Sequence, residues 1–257
     1  MTRKTRRLLF LGFALVFFAV SPFIIRYAQG YRFDLKTFQF TRTGALFLKV
    51  RPVKATLFLD KKLSRETGIL GGSIFIRDLL PKSYSLEVRR DGYQPWRKTL
   101  EVSPELVTEA RHVLLFKNSY EVFSTTTPPL RLGLFATSTP AVSKATSTDG
   151  NTILLKNRNE LTVEFLEDID EQPFRKKGER EVIVRVSETI TDAVWHDDSE
   201  HVFFAVGGHI KVAELDSRGG RNIHDLFKAE NARLSWSKKD RRLSFTDGGA
   251  LKWLQFE

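Results

Sequence analysis

Gly44-Ala-Leu-Phe-Leu-Lys-Val-Arg-Pro-Val-Lys-Ala-Thr-Leu-Phe-Leu-Asp60 decides the fold. Leu46, Leu48 and Val50 alternate with other residues, and so do Ala55, Leu57 and Leu59. A period of two places these side chains on one buried face of extended strands. Pro52 interrupts the run, because proline brings no N–H to a sheet ladder. Two strands joined by a short connection follow. Tyr84, Leu86 and Val88 repeat the alternation, Asp91-Gly-Tyr-Gln-Pro-Trp96 makes a turn with two aromatic residues, and Val107 to Phe116 reads as a closing strand.

Residues 43–117 resemble the PEGA domain, a small β-sandwich of bacterial and archaeal surface and envelope proteins. The resemblance rests on Pro52-Val-Lys-Ala55, Leu59-Asp60, Leu80-Pro-Lys-Ser-Tyr84 and Asp91-Gly-Tyr-Gln-Pro-Trp96. Val53-Lys54 stands where the family has Glu-Gly, and Lys82 where it has Gly, so the turns there depart from the pattern. The resemblance implies a sandwich without catalytic residues. Inside it, Asp60 to Gly68 reads as a polar loop, and Gly71-Gly72 leads into a strand over Ser73 to Arg77.

Working outward toward the C-terminus, the chain repeats itself. Val194-Trp-His-Asp-Asp-Ser-Glu-His-Val-Phe-Phe-Ala-Val-Gly-Gly-His-Ile-Lys-Val212 matches Ser235-Trp-Ser-Lys-Lys-Asp-Arg-Arg-Leu-Ser-Phe-Thr-Asp-Gly-Gly-Ala-Leu-Lys-Trp253 without a gap. The offset of about 41 residues is the period of a four-stranded propeller blade. Asp149 to Leu155 with Asn159 to Val163 reads as an earlier partial copy. The pattern resembles WD40-like and TolB-like propeller blades. From Asn118 onward about three blades fit at this period, with 146–257 as the partial propeller-like domain, whereas closed propellers have roughly four to eight. An open ring and exposed strand edges, available for oligomerisation, are therefore expected. Ser/Thr/Pro-rich 118–145 reads as a linker, with one strand over Leu130 to Phe135. The expected fold is mainly β: an N-terminal transmembrane helix, a PEGA-type sandwich and about three blade-like antiparallel sheets.

Toward the N-terminus, residues 1–7 carry four of the chain's 41 basic residues, and 8–25 are almost wholly apolar. Such a stretch, about 18 residues long, just spans a bilayer core as a helix. The basic flank places residues 1–7 in the cytoplasm and everything after Arg26 outside. A cleaved signal peptide is the competing reading. Ala19-Val-Ser21 before Pro22 is a poor cleavage site, which favours an uncleaved single-pass anchor. Residues 26–42 read as a juxtamembrane connector. Tyr27, Tyr31 and Phe33 suit either an aromatic belt at the headgroups or packing on the sandwich. An anchor, a PEGA unit and a propeller-like region together resemble proteins of small-genome uncultured bacteria.

The net charge of +10 favours anionic neighbours. An extracytoplasmic position argues for an envelope protein or wall polymer and against nucleic acid. With no cysteine there is neither disulfide framework nor thiolate site. No nucleophile elbow, phosphate-binding glycine loop or His-Glu-x-x-His helix is present. Neither a cofactor nor a catalytic set is expected, and the expected role is non-enzymatic binding or scaffolding. A glycan hydrolase is the alternative, and it would need paired carboxylates in a funnel. The candidate binding surface is Arg89, Arg90, Tyr93, Trp96, Arg97 and Lys98, where cations flank aromatic rings. His196-Asp197-Asp198 with His201 has metal-ligand residue types, but its place in a blade turn reads as solvated polar residues. The acidic run Glu164 to Glu171 lacks calcium-loop spacing. Trp195, Trp236 and Trp253 read as sheet core.

Overall fold

A computed structural model describes residues 2–35, 37–68, 71–125 and 143–256. The strand expected over Leu130 to Phe135 lies outside the described residues. The chain is mainly β, with one N-terminal apolar helix and, among the described residues, several antiparallel sheets and no closed barrel. It divides into two units. One comprises Met1–Phe47, Phe75–Ser83 and Glu101–Thr108; the other comprises Leu48–Ile74, Tyr84–Leu100 and Glu109–Glu257.

The first unit begins with α1 (Arg3–Ala28), 26 residues long. At 1.5 Å per residue that is about 39 Å, more than the ~30 Å hydrocarbon thickness of a bilayer. The helix is long and apolar enough to cross a membrane, and none of its residues is buried in the protein. Thr2 caps it, accepting the Thr5 N–H, and its first turn holds no acidic residue. Pro22 removes one helical N–H near the C-terminal end, and next to it the Ser21 hydroxyl donates to the Phe17 carbonyl at 2.7 Å.

The connector expected over 26–42 is a hairpin of β1 (Tyr31–Asp34) and β2 (Gln39–Arg42). Phe40 packs 5.3 Å from Phe33 and 5.8 Å from Phe23 of α1. The Arg32 guanidinium sits 3.6 Å from the Tyr27 ring centroid and pairs with Asp78 at 3.0 Å. Arg42 pairs with Glu105 and donates to the Tyr31 hydroxyl. Leu35 and Phe38 at the hairpin tip are each 75% exposed. Tyr27, Tyr31 and Phe33 therefore belong to a helix–hairpin cluster.

The sandwich strands run from one unit into the other: β3 (Gly44–Arg51), β4 (Thr56–Leu59), β5 (Lys62–Glu66), β6 (Ser73–Leu79), β7 (Lys82–Arg89), β8 (Trp96–Val102) and β9 (Val107–Leu114). They form a three-stranded sheet in the order β6-β3-β9 and a four-stranded sheet in the order β5-β4-β7-β8. Leu46, Leu48, Val50, Leu57, Tyr84, Leu86 and Val88 are buried, as the alternation requires. The polar loop expected from Asp60 contains β5, because Asp60 and Lys61 adopt φ of 48° and 65° and fold a tight hairpin with β4. Lys54 takes φ 61°, a left-handed conformation that favours glycine.

The remainder of the second unit holds three four-stranded antiparallel sheets. These strands are β10 (Val122–Thr125), β11 (Ser143–Thr146), β12 (Thr152–Lys156), β13 (Glu160–Phe165), β14 (Arg180–Arg185), β15 (Ile190–Trp195), β16 (His201–Val206), β17 (His209–Glu214), β18 (Ile223–Lys228), β19 (Leu234–Ser237), β20 (Arg242–Asp247) and β21 (Ala250–Gln255). Sheet one is β11-β12-β13-β14 and sheet two β15-β16-β17-β18. Sheet three is β10-β21-β20-β19, so its fourth strand comes from far upstream. The expected linker 118–145 thus holds β10 and the start of β11. The last strand, β21, is not an edge strand: β10 satisfies its backbone groups in register from Val122 opposite Leu254.

Strand β16 is buried at every position. Its side chains alternate between two cores: Val202, Phe204 and Val206 join sheet one, and Phe203 and Ala205 join sheet three. A strand covered on both faces needs a continuous apolar run, not an alternating one. Trp195 lies in the first core and donates its indole N–H to the Ala145 carbonyl. Trp253 instead stacks on Phe123 of β10 at 4.3 Å. Asp192 is fully buried where β15 meets β19; it accepts the N–H groups of Ala193 at 2.9 Å and Leu234 at 2.8 Å. Burial pushes its carboxyl above the ordinary range, against those hydrogen bonds and the charges of Arg233 and Lys156.

Candidate functional site

The six residues of the expected binding surface do not stay together. Trp96 and Lys98 point inward from β8 and are each 2% exposed. Lys98 Nζ lies 2.6 Å from Glu214 Oε1 and donates to the carbonyls of Asp216 and Gly220. Trp96 Nε1 donates to Glu214 Oε2 at 2.8 Å, and Asn222 donates twice to Oε1. These side chains dock β8 on β17 and its following loop. Arg89 and Arg97 both hold Glu87, at 2.6 and 2.7 Å. Arg90 sits 4.6 Å from the Tyr93 ring centroid. Of the six, only Tyr93 lines the cavity described next.

That cavity, about 700 Å³, lies within the second unit. Lys49, Arg51, Arg111 and Lys117 approach from the sandwich side, Glu171 from the β13–β14 loop, His196 to Asp198 from the β15–β16 turn, and Arg241 from the β19–β20 turn. Tyr93, Tyr120, Phe116 and Phe256 supply aromatic wall. Cations and aromatic rings around one concavity suit an anionic or sugar-bearing ligand.

At its wall the β15–β16 turn builds a polar cluster. Asp198 folds the turn by accepting the N–H groups of Glu200 at 3.0 Å and His201 at 3.1 Å. Its two oxygens also meet His196 Nδ1 at 3.0 Å and His201 Nδ1 at 2.8 Å. Asp197 Oδ1 lies 3.2 Å from the other nitrogen of His196. The turn is not simply solvated, as the sequence suggested: the side chains of His196 and His201 are 12% and 3% exposed. Phe116 packs on His201, ring centroids 5.6 Å apart, and Trp236 packs on His196 at 4.7 Å.

Burial alone would raise Asp198, but the two histidines hold it well below the usual carboxylate range. Burial alone would lower His201, and Asp198 reverses this and raises it. Burial lowers His112 and His224, and lifts Glu200 to about 8 with help from the Asp198 charge. Four of the chain's five histidines therefore belong to one electrostatic neighbourhood. Sequence reasoning had no access to His112, Glu171, Arg111 or Arg241 as cavity residues, since they come from separated segments.

No family model matches the chain, and no curated protein matches it. Among solved structures, it is similar to a protein of unknown function from Bacteroides fragilis, named as membrane-associated, at 11% identity. The match covers 82% of this chain and 94% of that one, with a TM-score of 0.24. So low a score carries no argument about fold or role.

Proposed function

We propose that this protein is a membrane-anchored, extracytoplasmic binding or scaffold protein of the cell envelope that performs no chemistry on what it holds. The helix α1, unburied, basic in its first two turns and apolar beyond them, carries this reading. A helix is the one single-segment way to satisfy every backbone group in lipid, and the charge bias sets the N-terminus in the cytoplasm. In this reading the helix–hairpin aromatics lie at headgroup depth, and the sandwich is a PEGA unit followed by an open three-sheet relative of WD40/TolB-like propellers. The partner is an envelope protein or an anionic wall polymer, recognised at the cationic, aromatic cavity around Tyr93, Arg111 and Arg241.

The hydrolase alternative is weaker on the same geometry. A retaining or inverting glycosidase needs one carboxylic acid that keeps its proton. Asp198, in the cavity wall, is held ionised by its histidines and spent on turn hydrogen bonds, and Glu200, the carboxyl lifted to about 8, is not among the residues that line the cavity. The binding reading is tested with the full chain in nanodiscs, assayed against isolated envelope polymer and solubilised envelope proteins. Saturable binding that weakens about tenfold in Arg111→Gln/Arg241→Gln is expected, since each lost cationic contact to an anion is worth roughly 0.5–1.5 kcal/mol. Absence of retention on any envelope fraction, or release of sugar fragments by the wild type, ends it.

A further inference from the structure

We propose that His196, Asp198 and His201 form a binding site for one divalent transition-metal ion of the zinc class, facing the cavity. Among the described residues these three offer donor atoms that all lie within 4.8 Å of one another. Two imidazoles and one carboxylate are a donor set that suits zinc-class ions and not calcium or magnesium, which prefer oxygen alone.

The separations fit. His196 Nδ1 and His201 Nδ1 stand 3.0 and 2.8 Å from the two oxygens of Asp198. Ligand atoms about 2.0–2.1 Å from a tetrahedral zinc are about 3.3 Å apart, so admitting the ion widens the two histidine–carboxylate gaps by only a few tenths of an ångström, and the donor nitrogens of the two histidines already lie within 4.8 Å of each other. At His201 the ion would displace a proton held between Nδ1 and Asp198; at His196 it would replace the Asp198 main-chain N–H, which Nδ1 accepts at 3.3 Å.

A second observation points the same way. Asp197 Oδ1 sits 3.2 Å from His196 Nε2, the nitrogen facing away from the cluster. A carboxylate on the outer nitrogen fixes the tautomer and turns the inner nitrogen toward the ion, an arrangement characteristic of metal-bound histidine. The main-chain bonds from Glu200 and His201 to Asp198 hold the turn in place without any ion. His196, Asp197 and Asp198 line the cavity, so the fourth coordination position opens onto it. The site is independent of which envelope ligand the protein holds.

The test uses the full chain in detergent, stripped with chelator and dialysed. Zinc is titrated calorimetrically and cobalt(II) by visible absorption. One ion per chain is expected, with intense tetrahedral cobalt bands and a higher thermal midpoint in zinc. His196→Gln and Asp198→Asn should each abolish the stoichiometric phase. Asp197→Asn should weaken it roughly tenfold, as loss of an outer carboxylate does. His209→Gln, outside the cluster, should change nothing. No saturable phase for either ion, cobalt bands of the hydrated ion only, or unchanged binding in His196→Gln would overturn the site. If a variant fails to fold by circular dichroism, the wild-type midpoint with and without zinc decides, and no shift means no site.

Discussion

Lys98→Met should lower the stability of the protein by roughly 3–5 kcal/mol, the usual cost of stranding one member of a buried ion pair. The substitution keeps the apolar stem and removes only the ammonium. It leaves Glu214, whose side chain is 5% exposed, without the cation 2.6 Å away. Trp96 Nε1 and Asn222 still donate to that carboxylate, but hydrogen bonds alone do not compensate a desolvated charge. The carbonyls of Asp216 and Gly220 also lose their donor. Lys98→Met/Glu214→Gln should recover a large part of the loss, because a neutral amide oxygen still accepts from Trp96. Thermal melts of wild type, single and double variants read this directly. A double variant no better than the single one would mean that the pair is not what docks β8 on the second sheet.

The same joint is tested from its backbone. Gly219 adopts φ 61°, and a Cβ there would stand 2.0 Å from the Thr99 carbonyl oxygen and 2.5 Å from the Thr99 nitrogen. Main-chain atoms of a strand cannot swing aside as a flexible side chain does. Gly219→Ala therefore forces the loop after β17 away from β8 and adds the strain of a left-handed residue, together about 2–4 kcal/mol. Gly248→Ala is the control for backbone strain alone: φ is 57° there, close to that of Gly219, but nothing lies within 4 Å of the added carbon. Equal losses in the two variants would show that close approach to Thr99 contributes nothing.

Much of this fold was legible because burial leaves periodic marks. The alternation of Leu46, Leu48 and Val50 and of Tyr84, Leu86 and Val88 names faces that are in fact buried. The unbroken repeat between Trp195 and Trp236 placed β16 and β20, and β17 and β21, at equivalent positions, their shared Gly-Gly turns all at positive φ. What escaped was non-local. Nothing in Val122 to Thr125 says that these residues pair with the strand at the end of the chain. The basic–aromatic run around Trp96 looked like a surface because sequence does not show which cations meet a buried carboxylate. Glu214 lies more than a hundred residues from Lys98, and their pairing is a property of the fold alone. The His-Asp-Asp turn was visible as residue types. Its burial was not, because the cover comes from distant segments, Phe116 after β9 and Trp236 on β19.

The absence of native cysteine makes the central claim open to one direct measurement. Lys238→Cys lies on an exposed turn of the third sheet, and Lys4→Cys lies at the start of α1. Each single-cysteine protein is expressed in full length and exposed to a membrane-impermeant maleimide, before and after permeabilisation. Position 238 should label fully in intact cells while the chain stays with the membrane fraction, and position 4 only after permeabilisation. Labelling of 238 only in opened cells, or recovery of the chain from the soluble cytosol, would contradict an anchored protein displayed outside the membrane.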